Sequence, residues 1–241
     1  MPAKFDASII IPAYNQSGKL APCIIGVEDA MREAKIARYE IIIAEDGSKD
    51  GTLEEAKAIS RKDKKVRVLH SARRLGKGGA IMHAFSNSKG DVFAFLDADG
   101  ATNPGQLGQL IFRARTAGIA VGSRYLRESS SKRKNRRFFV SKIYNFLLRF
   151  LFGSKVTDHS CGFKAFRADV ARRLCKSVRD KKWFWDPEAL ILAQRWGYGV
   201  EEVRVEWKEK PDTQFRLVSD SFYIAGSIAR LWLDLAFSKE K

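Results

Sequence analysis

The sequence predicts an α/β chain built on a mostly parallel sheet with helices on both faces. Short apolar runs recur through the first half: Ser8-Ile9-Ile10-Ile11-Pro12, Glu40-Ile41-Ile42-Ile43-Ala44, Val66-Arg67-Val68-Leu69, Val92-Phe93-Ala94-Phe95-Leu96 and Ile119-Ala120-Val121-Gly122. They have strand length, and most are apolar on both faces, as strands buried in a parallel sheet must be. Between them lie segments of helical length, so strand and helix alternate. Polar residues cluster just after the strands, where sheets of this kind bind ligands.

Each element has its own local reason. Pro12 stops the first strand, and Ser17 or Gly18 starts a helix to about Ala37. The second strand ends at Glu45-Asp46-Gly47-Ser48. Asp50 caps a helix to about Arg61, with Glu54 and Glu55 in its first turn, where the helix dipole favours anions. Gly76-Lys77-Gly78-Gly79 opens a helix near Ala80 to Ser86. The fourth strand, from Asp91 to Leu96, runs into Asp97-Ala98-Asp99. Pro104 sits at a first helical position, and that helix reaches about Ala117. Beyond the fifth strand, a helix is expected over Phe138–Phe152 and another from Trp183 to Gly197, beginning near Asp186-Pro187-Glu188. Val203, Val205 and Trp207 alternate with Arg204, Glu206 and Lys208, which is strand spacing. A last amphipathic helix runs from about Val218 to Phe237, so the expected division is a catalytic domain over 1–217 and a C-terminal amphipathic helix over 218–241.

Composition narrows the classes. The chain has 241 residues, 45% of them apolar and 11% aromatic, which excludes a disordered chain. Lys and Arg number 44 against 28 Asp and Glu, a net charge of +16, so the partners are anionic. Cys23, Cys161 and Cys175 have no metal-type spacing, and scattered cysteines suit a reducing compartment. His159 has no second histidine at zinc spacing, so zinc is not expected. Residues 1–8 lack a signal-peptide core, and no uncharged apolar run approaches the length of a bilayer span. Residues 127–137 are polar and basic (Lys132, Arg133, Lys134, Arg136, Arg137), and 138–152 are strongly apolar and aromatic. A basic cluster beside such a helix suits the surface of an anionic membrane; a helix docked on the protein is the plainer alternative.

Asp97 and Asp99 carry the most chemistry. Two carboxylates after a buried strand offer hard oxygen ligands, which suit Mg²⁺ or Mn²⁺ holding a nucleotide diphosphate. Taken alone, the pair reads first as a solvated turn, and it is the rest of the chain that reverses this. Tyr14 and Asn15, Glu45 and Asp46, and Ser123 and Arg124 close other strands at the same edge.

With these residues in place the chain resembles family-two glycosyltransferases of the GT-A fold, most of all the dolichyl-phosphate β-glucosyltransferase branch, with dolichyl-phosphate mannose synthases next. The resemblance covers roughly 8–217. It rests on Ile11-Pro12-Ala13-Tyr14-Asn15, Glu45-Asp46-Gly47-Ser48-Lys49-Asp50-Gly51-Thr52, Gly76-Lys77-Gly78, Asp97-Ala98-Asp99-Gly100-Ala101-Thr102, Gly122-Ser123-Arg124-Tyr125, Cys161-Gly162-Phe163-Lys164-Ala165-Phe166 and Trp185-Asp186-Pro187-Glu188. Two departures stand out: Gln16 where the family often has Glu, and Glu45 where it often has Asp.

The resemblance implies roles. Pro12, Ala13, Tyr14, Asn15, Asp46, Lys77, Asp97, Ala98 and Asp99 would bind the nucleotide sugar, Asp46 reading uracil or ribose. Asp99, with Asp97, would hold the metal. Asp186, Glu188 and Arg124 would act at the reacting groups, and Arg216 and Lys210 would close over the diphosphate or acceptor phosphate. Bland readings stand beside these. Asp46 suits a turn, Tyr14 suits packing and the glycine run suits a flexible loop. Arg124 suits a surface ion pair, and Asp186-Pro187-Glu188 is a good helix start. The expected activity is an inverting, metal-dependent transfer of glucose from UDP-glucose to a polyprenyl (dolichyl) phosphate, by a peripheral protein on the cytosolic membrane face. The enzyme alternative is a GDP-mannose-dependent synthase or another nucleotide-sugar transferase. A basic nucleic-acid-binding protein is the alternative outside enzymes; the charge permits it, but no nucleic-acid-binding motif is present and none is expected as partner.

Overall fold

The computed structural model describes residues 3–127, 129–132, 135–208 and 217–237. In chain order the elements are β1 (Phe5–Ala13), α1 (Leu20–Glu33), β2 (Tyr39–Glu45), α2 (Thr52–Lys62), β3 (Val66–His70), α3 (Lys77–Asn87), β4 (Gly90–Leu96), α4 (Leu107–Ala117) and β5 (Gly118–Ser123). Then follow β6 (Ser130–Lys132), α5 (Asn135–Phe152), β7 (Phe163–Arg167), α6 (Ala168–Ser177), α7 (Trp185–Arg195), β8 (Gly199–Arg204), β9 (Glu206–Lys208) and α8 (Leu217–Phe237). A seven-stranded sheet has the order β3-β2-β1-β4-β7-β5-β8, and β6 pairs with β9 in a small separate one. All neighbours in the large sheet are parallel except those of β7, which runs antiparallel between β4 and β5.

Strand alternation fills both faces. Ile9, Ile11, Ile41 and Ile43 point to one side, with Leu20, Ile24 and Val27 of α1 and Leu107, Leu110 and Ile111 of α4. Ile10, Ile42, Phe93 and Phe95 point to the other, with Ala80, Ile81 and Phe85 of α3, Val170 and Leu174 of α6, and Trp185 of α7. Trp185 meets Phe85, Phe95 and Phe166 edge-on at centroid distances of 6.0, 5.7 and 6.2 Å. Such tilted aromatic pairs add to area burial.

The helix termini follow local chemistry. Glu55 accepts the Gly18 and Ala21 amides, closing the start of α1 from α2. That helix ends at Glu33, short of the expected Ala37, because Lys35 takes a left-handed conformation. Asp50 accepts the Thr52 amide at the start of α2. Pro104 opens a single 3₁₀ turn, capped by Asn103, before α4. The expected strand over 203–207 divides: β8 joins the main sheet, and β9 turns away to pair with β6.

Neither β7 nor α6 appears in the sequence-based assignment. The β7 pentad, Phe-Lys-Ala-Phe-Arg, carries a fully buried Lys164 at its second position. That charge breaks the apolar run by which the other strands are recognised.

A third apolar cluster joins α5, α7 and α8 through Leu148, Phe184, Ile191, Ile228 and Leu231. Polar contacts tie α8 down as well. Arg230 reaches Glu188, Arg179 reaches Asp234, and Tyr223 and Ser227 donate to Asp180. Among the described residues no helix is long and apolar enough to cross a membrane.

The 153–162 segment returns the chain from α5 to β7. Buried Asp158 holds it to the end of β5: its carboxylate takes the Arg124 Nε and Nη2 at 2.6 and 2.7 Å and the Arg124 amide at 3.1 Å. Removing one partner of a buried pair strands a charge. Asp158→Ala is therefore expected to cost about 3–5 kcal/mol in urea unfolding. Asp169→Ala, which breaks the exposed Arg167–Asp169 pair, should cost under about 1 kcal/mol. Equal midpoints for the two variants would contradict this.

Candidate active site

Every parallel strand of the large sheet ends at one edge, and β7 begins there. β1 is flanked by β2 on one side and β4 on the other, so the chain winds in opposite directions from it. Such a switch point leaves a crevice outside the strand ends.

On the β1–β2 side, Pro12 and Ala13 lie opposite Ala44 and Glu45 in register, and the Asp46 amide donates to the Ala13 carbonyl at 2.9 Å. Asn15 has φ +52, a left-handed conformation that Asn tolerates. It is locked to the β2 turn: its amide donates to Ser48 Oγ, and its Oδ1 accepts the Lys49 amide, both at 3.0 Å. Tyr14 carries the Arg74 guanidinium 3.6 Å above its ring centroid. Glu45 is buried and accepts the Ser48 amide at 2.6 Å, with His70 Nδ1 at 2.5 Å. Burial works to raise its carboxyl, but Ser48 and His70 hold it below its ordinary value.

Asp46 is buried, and its two oxygens accept the Leu75 and Gly76 amides at 2.5 and 3.0 Å. It thereby pins the 71–76 loop to the edge. Burial raises its carboxyl above the ordinary range in spite of those amides.

Asp97 and Asp99 follow β4, and buried Ala98 between them packs into the α1–α4 face of the core. Asp99 Oδ1 accepts the Ala101 amide at 2.8 Å. Burial and the neighbouring Asp97 raise the Asp99 carboxyl. Leu96 pairs with Phe163, and the Asp97 amide donates to the Gly162 carbonyl at 3.2 Å. Gly162 is a cradle for the Asp97 carboxylate: a Cβ there would stand 1.9 Å from Oδ2. Lys77 Nζ lies 2.6 Å from Asp97 Oδ1. Burial works to lower that ammonium, but Asp97 and Asp186 hold it above its ordinary value.

The glycines beside Lys77 serve packing rather than a phosphate cradle. Gly78 lies against Trp185, whose Cβ would be 2.3 Å from an added methyl. The Gly79 amide donates to the Lys181 carbonyl and that of Ala80 to the Gly76 carbonyl, so neither is open to an anion. From this loop Lys77 reaches into the crevice, to Asp97.

The remaining candidates divide. Asp186, in the first turn of α7, accepts Lys164 Nζ at 2.7 Å, and the same ammonium donates to the Cys161 carbonyl at 2.5 Å. Glu188 does not face the crevice. It is buried and collects the Arg179 and Asp180 amides and the Arg230 guanidinium, so it joins α7 to the loop before it and to α8. Arg124 is not a surface ion pair: it is buried against Asp158, with its guanidinium carbon 5.4 Å from the centroid of the Trp207 ring. His159 bridges Asn145 and Ser154, and burial with Lys164 nearby pushes it down to about 3, a neutral core histidine. Lys210 and Arg216 lie outside the described residues, as do Arg133 and Lys134 of the basic stretch.

The donor set fits a hard divalent cation. Among the described residues no group of three or more His, Cys, Asp and Glu could hold a metal ion. Asp97 and Asp99 supply two carboxylates on one short turn, and a diphosphate with water would complete an octahedral shell. Two residues beyond the sequence-based list matter here. Both lie in the Cys161–Phe166 stretch that carries the resemblance, but Lys164 reads there as a charge inside an apolar pentad and Gly162 as a glycine before it, with no site role assigned to either.

A family model described as glycosyl transferase family 2 matches residues 8–175. The chain is 37% identical over 236 residues to the glycosyltransferase AglD of Haloferax volcanii, covering 97% of this chain and 38% of that protein. It is 34% identical to a dolichyl-phosphate β-glucosyltransferase of Drosophila melanogaster, covering 85% of this chain and 67% of the relative, and 32% identical to the Homo sapiens one, covering 84% and 67%. The chain thus spans well under half of the archaeal relative and about two thirds of the others. Its fold is similar to that of glucosyl-3-phosphoglycerate synthase from Mycobacterium tuberculosis, solved with Mn²⁺ and UDP-glucose: the TM-score is 0.70 at 17% identity, over 94% of this chain and 79% of that one. The sheet is a GT-A sheet, and the chain belongs to glycosyl transferase family 2.

Proposed function

We propose that the chain transfers glucose from UDP-glucose to a polyprenyl phosphate of the dolichyl class, at the cytosolic face of a membrane. The observation that carries this is the meeting of Asp97, Asp99, Lys77 and Asp186 at one sheet edge, with Asp97 seated in the Gly162 cradle. The names of the relatives support the acceptor and the sugar.

In this reading uridine lies along Pro12, Ala13, Tyr14, Asn15 and Asp46, and the diphosphate reaches Lys77. Mg²⁺ or Mn²⁺ held by Asp99 and Asp97 would neutralise charge on the departing UDP. An acceptor phosphate oxygen attacks the anomeric carbon as the bond to the β-phosphate oxygen breaks, and the electron pair leaves with UDP. One displacement inverts the configuration and yields a β-linked sugar.

The acceptor needs little help from a base, since a phosphate monoester has its second pKa near about 6. Asp186, already holding the buried Lys164 ammonium, suits orientation of the acceptor and electrostatic steering better than proton abstraction. Glu188 and Arg124 shape the site from behind.

Exposed side chains support the membrane. On α5, Phe139, Ile143, Phe146 and Phe150 are 66%, 53%, 67% and 75% exposed, at helical spacing along one face. On α8, Phe222, Trp232, Leu233 and Phe237 are also exposed. The two helices pack together through one buried cluster, and in this reading their exposed apolar residues form one platform. Isolated exposed apolar groups are ordinary, but a row of phenylalanines beside a basic stretch suits an anionic bilayer surface.

The direct test is a donor screen with detergent-solubilised polyprenyl phosphate and Mn²⁺ or Mg²⁺. UDP-glucose is expected to give a prenyl-linked glucose that chelation abolishes; product from GDP-mannose alone would replace the donor. Asp186→Asn is expected to lower kcat by about a hundredfold while leaving the Kd for UDP within about threefold. Equal losses in both would give Asp186 a structural role. Replacing Phe139, Phe146 and Phe150 with Ser is expected to cut sedimentation with anionic liposomes at least about tenfold, since each Phe buries about 2 kcal/mol of apolar surface. Unchanged sedimentation would take the platform off the membrane.

A further inference from the structure

We infer that Lys77 is the resident counter-ion of the Asp97–Asp99 pair, holding Asp97 until a divalent cation and a diphosphate arrive together and then moving onto the diphosphate. The inference rests on the metal and nucleotide sites proposed above, and adds competition between two cations for one carboxylate.

The geometry sets up that competition. Lys77 Nζ stands 2.6 Å from Asp97 Oδ1, within direct ion-pair contact. The other oxygen, Oδ2, lies in the space that a side chain at Gly162 would fill, so the carboxylate sits against the turn before β7. The nearby Asp186 already holds the buried Lys164. An ammonium in contact with Oδ1 and a divalent ion sharing that carboxylate repel one another. The root of Lys77 is fixed, since the first turn of α3 is packed on Trp185 through Gly78 and tied to Lys181 through Gly79. Only its flexible four-carbon stem has to move. A diphosphate offers the displaced ammonium new oxygens, so metal and nucleotide each favour the other's binding. Metal alone has to displace Lys77 without that compensation.

Calorimetric titration of the whole chain tests this, with Mn²⁺ alone and then with UDP at saturating Mn²⁺. Lys77→Met is expected to bind Mn²⁺ alone about tenfold more tightly than wild type, about 1.4 kcal/mol, and to bind UDP about tenfold more weakly. Lys77→Gln should repeat the result, and Lys77→Arg, which keeps the charge, should stay near wild type with Mn²⁺ alone. Mn²⁺ binding by folded Lys77→Met and Lys77→Gln that is no tighter than wild type overturns the inference, while intact uptake of UDP with Mn²⁺ by wild type leaves the underlying site standing. Failure of wild type to take up Mn²⁺ even with UDP removes both.

Discussion

Asp97 emerges from β4 at the point where the antiparallel β7 begins, so the Cys161–Gly162 backbone is brought against its carboxylate. There is no room for a side chain at 162. The Asp97 main chain is tied to the turn facing it, and its carboxylate occupies the space that a side chain at 162 would take. A turn tied to the neighbouring strand by its own main chain needs less ordering when a ligand binds, and preorganisation of that kind lowers the cost of binding. Lys77, Asp99 and Asp186 are arranged around this fixed point.

The charges near it differ in burial, and burial sorts their work. Lys77–Asp97 is partly open, and its ammonium has a flexible stem. Lys164–Asp186 has a fully buried ammonium with a backbone carbonyl as second partner. Arg124–Asp158 is buried and bidentate, with an amide added. A pair open to the crevice can exchange partners. A pair sealed from water cannot do so without stranding a charge. The gradient from Lys77 to Arg124 therefore runs from ligand exchange to scaffold. Arg124, which in sequence stands at a strand end like the acidic residues, is at the buried end of that gradient, committed to Asp158.

Glu188 and Asp180 extend the scaffold outward. They link α7, which carries Asp186 in its first turn, to α8 through Arg230, Tyr223 and Ser227. The apolar cluster below brings α5 into the same unit. The platform that exposes the phenylalanines and the helix that presents Asp186 are consequently packed as one body. If the acceptor is the polyprenyl phosphate proposed above, that body offers its tail an apolar surface and its head a polar edge in fixed relation. A flexible linker between the two would have left the head group to find the site by diffusion.

What the sequence discloses and what it hides follow from the range of the interactions. The apolar runs at 8–12, 40–44 and 92–96 announce buried strands because burial on both faces is a local requirement, and their order announces the sheet. Asp97-Ala98-Asp99 is legible for the same reason: both carboxylates lie on one turn. β7 is hidden because Lys164, at its second position, satisfies a partner 22 residues away, so its charge has no local explanation. The glycines at 76–79 mislead in the opposite sense. They look like a loop opened for an anion, yet Gly78 is demanded by Trp185, more than a hundred residues on. Glu188 misleads likewise, since an acid in a first helical turn looks poised for chemistry until Arg230 is seen to hold it. Residue type and spacing specify which groups reach the edge. Which of them stay available there is decided by partners that only the folded chain brings within reach.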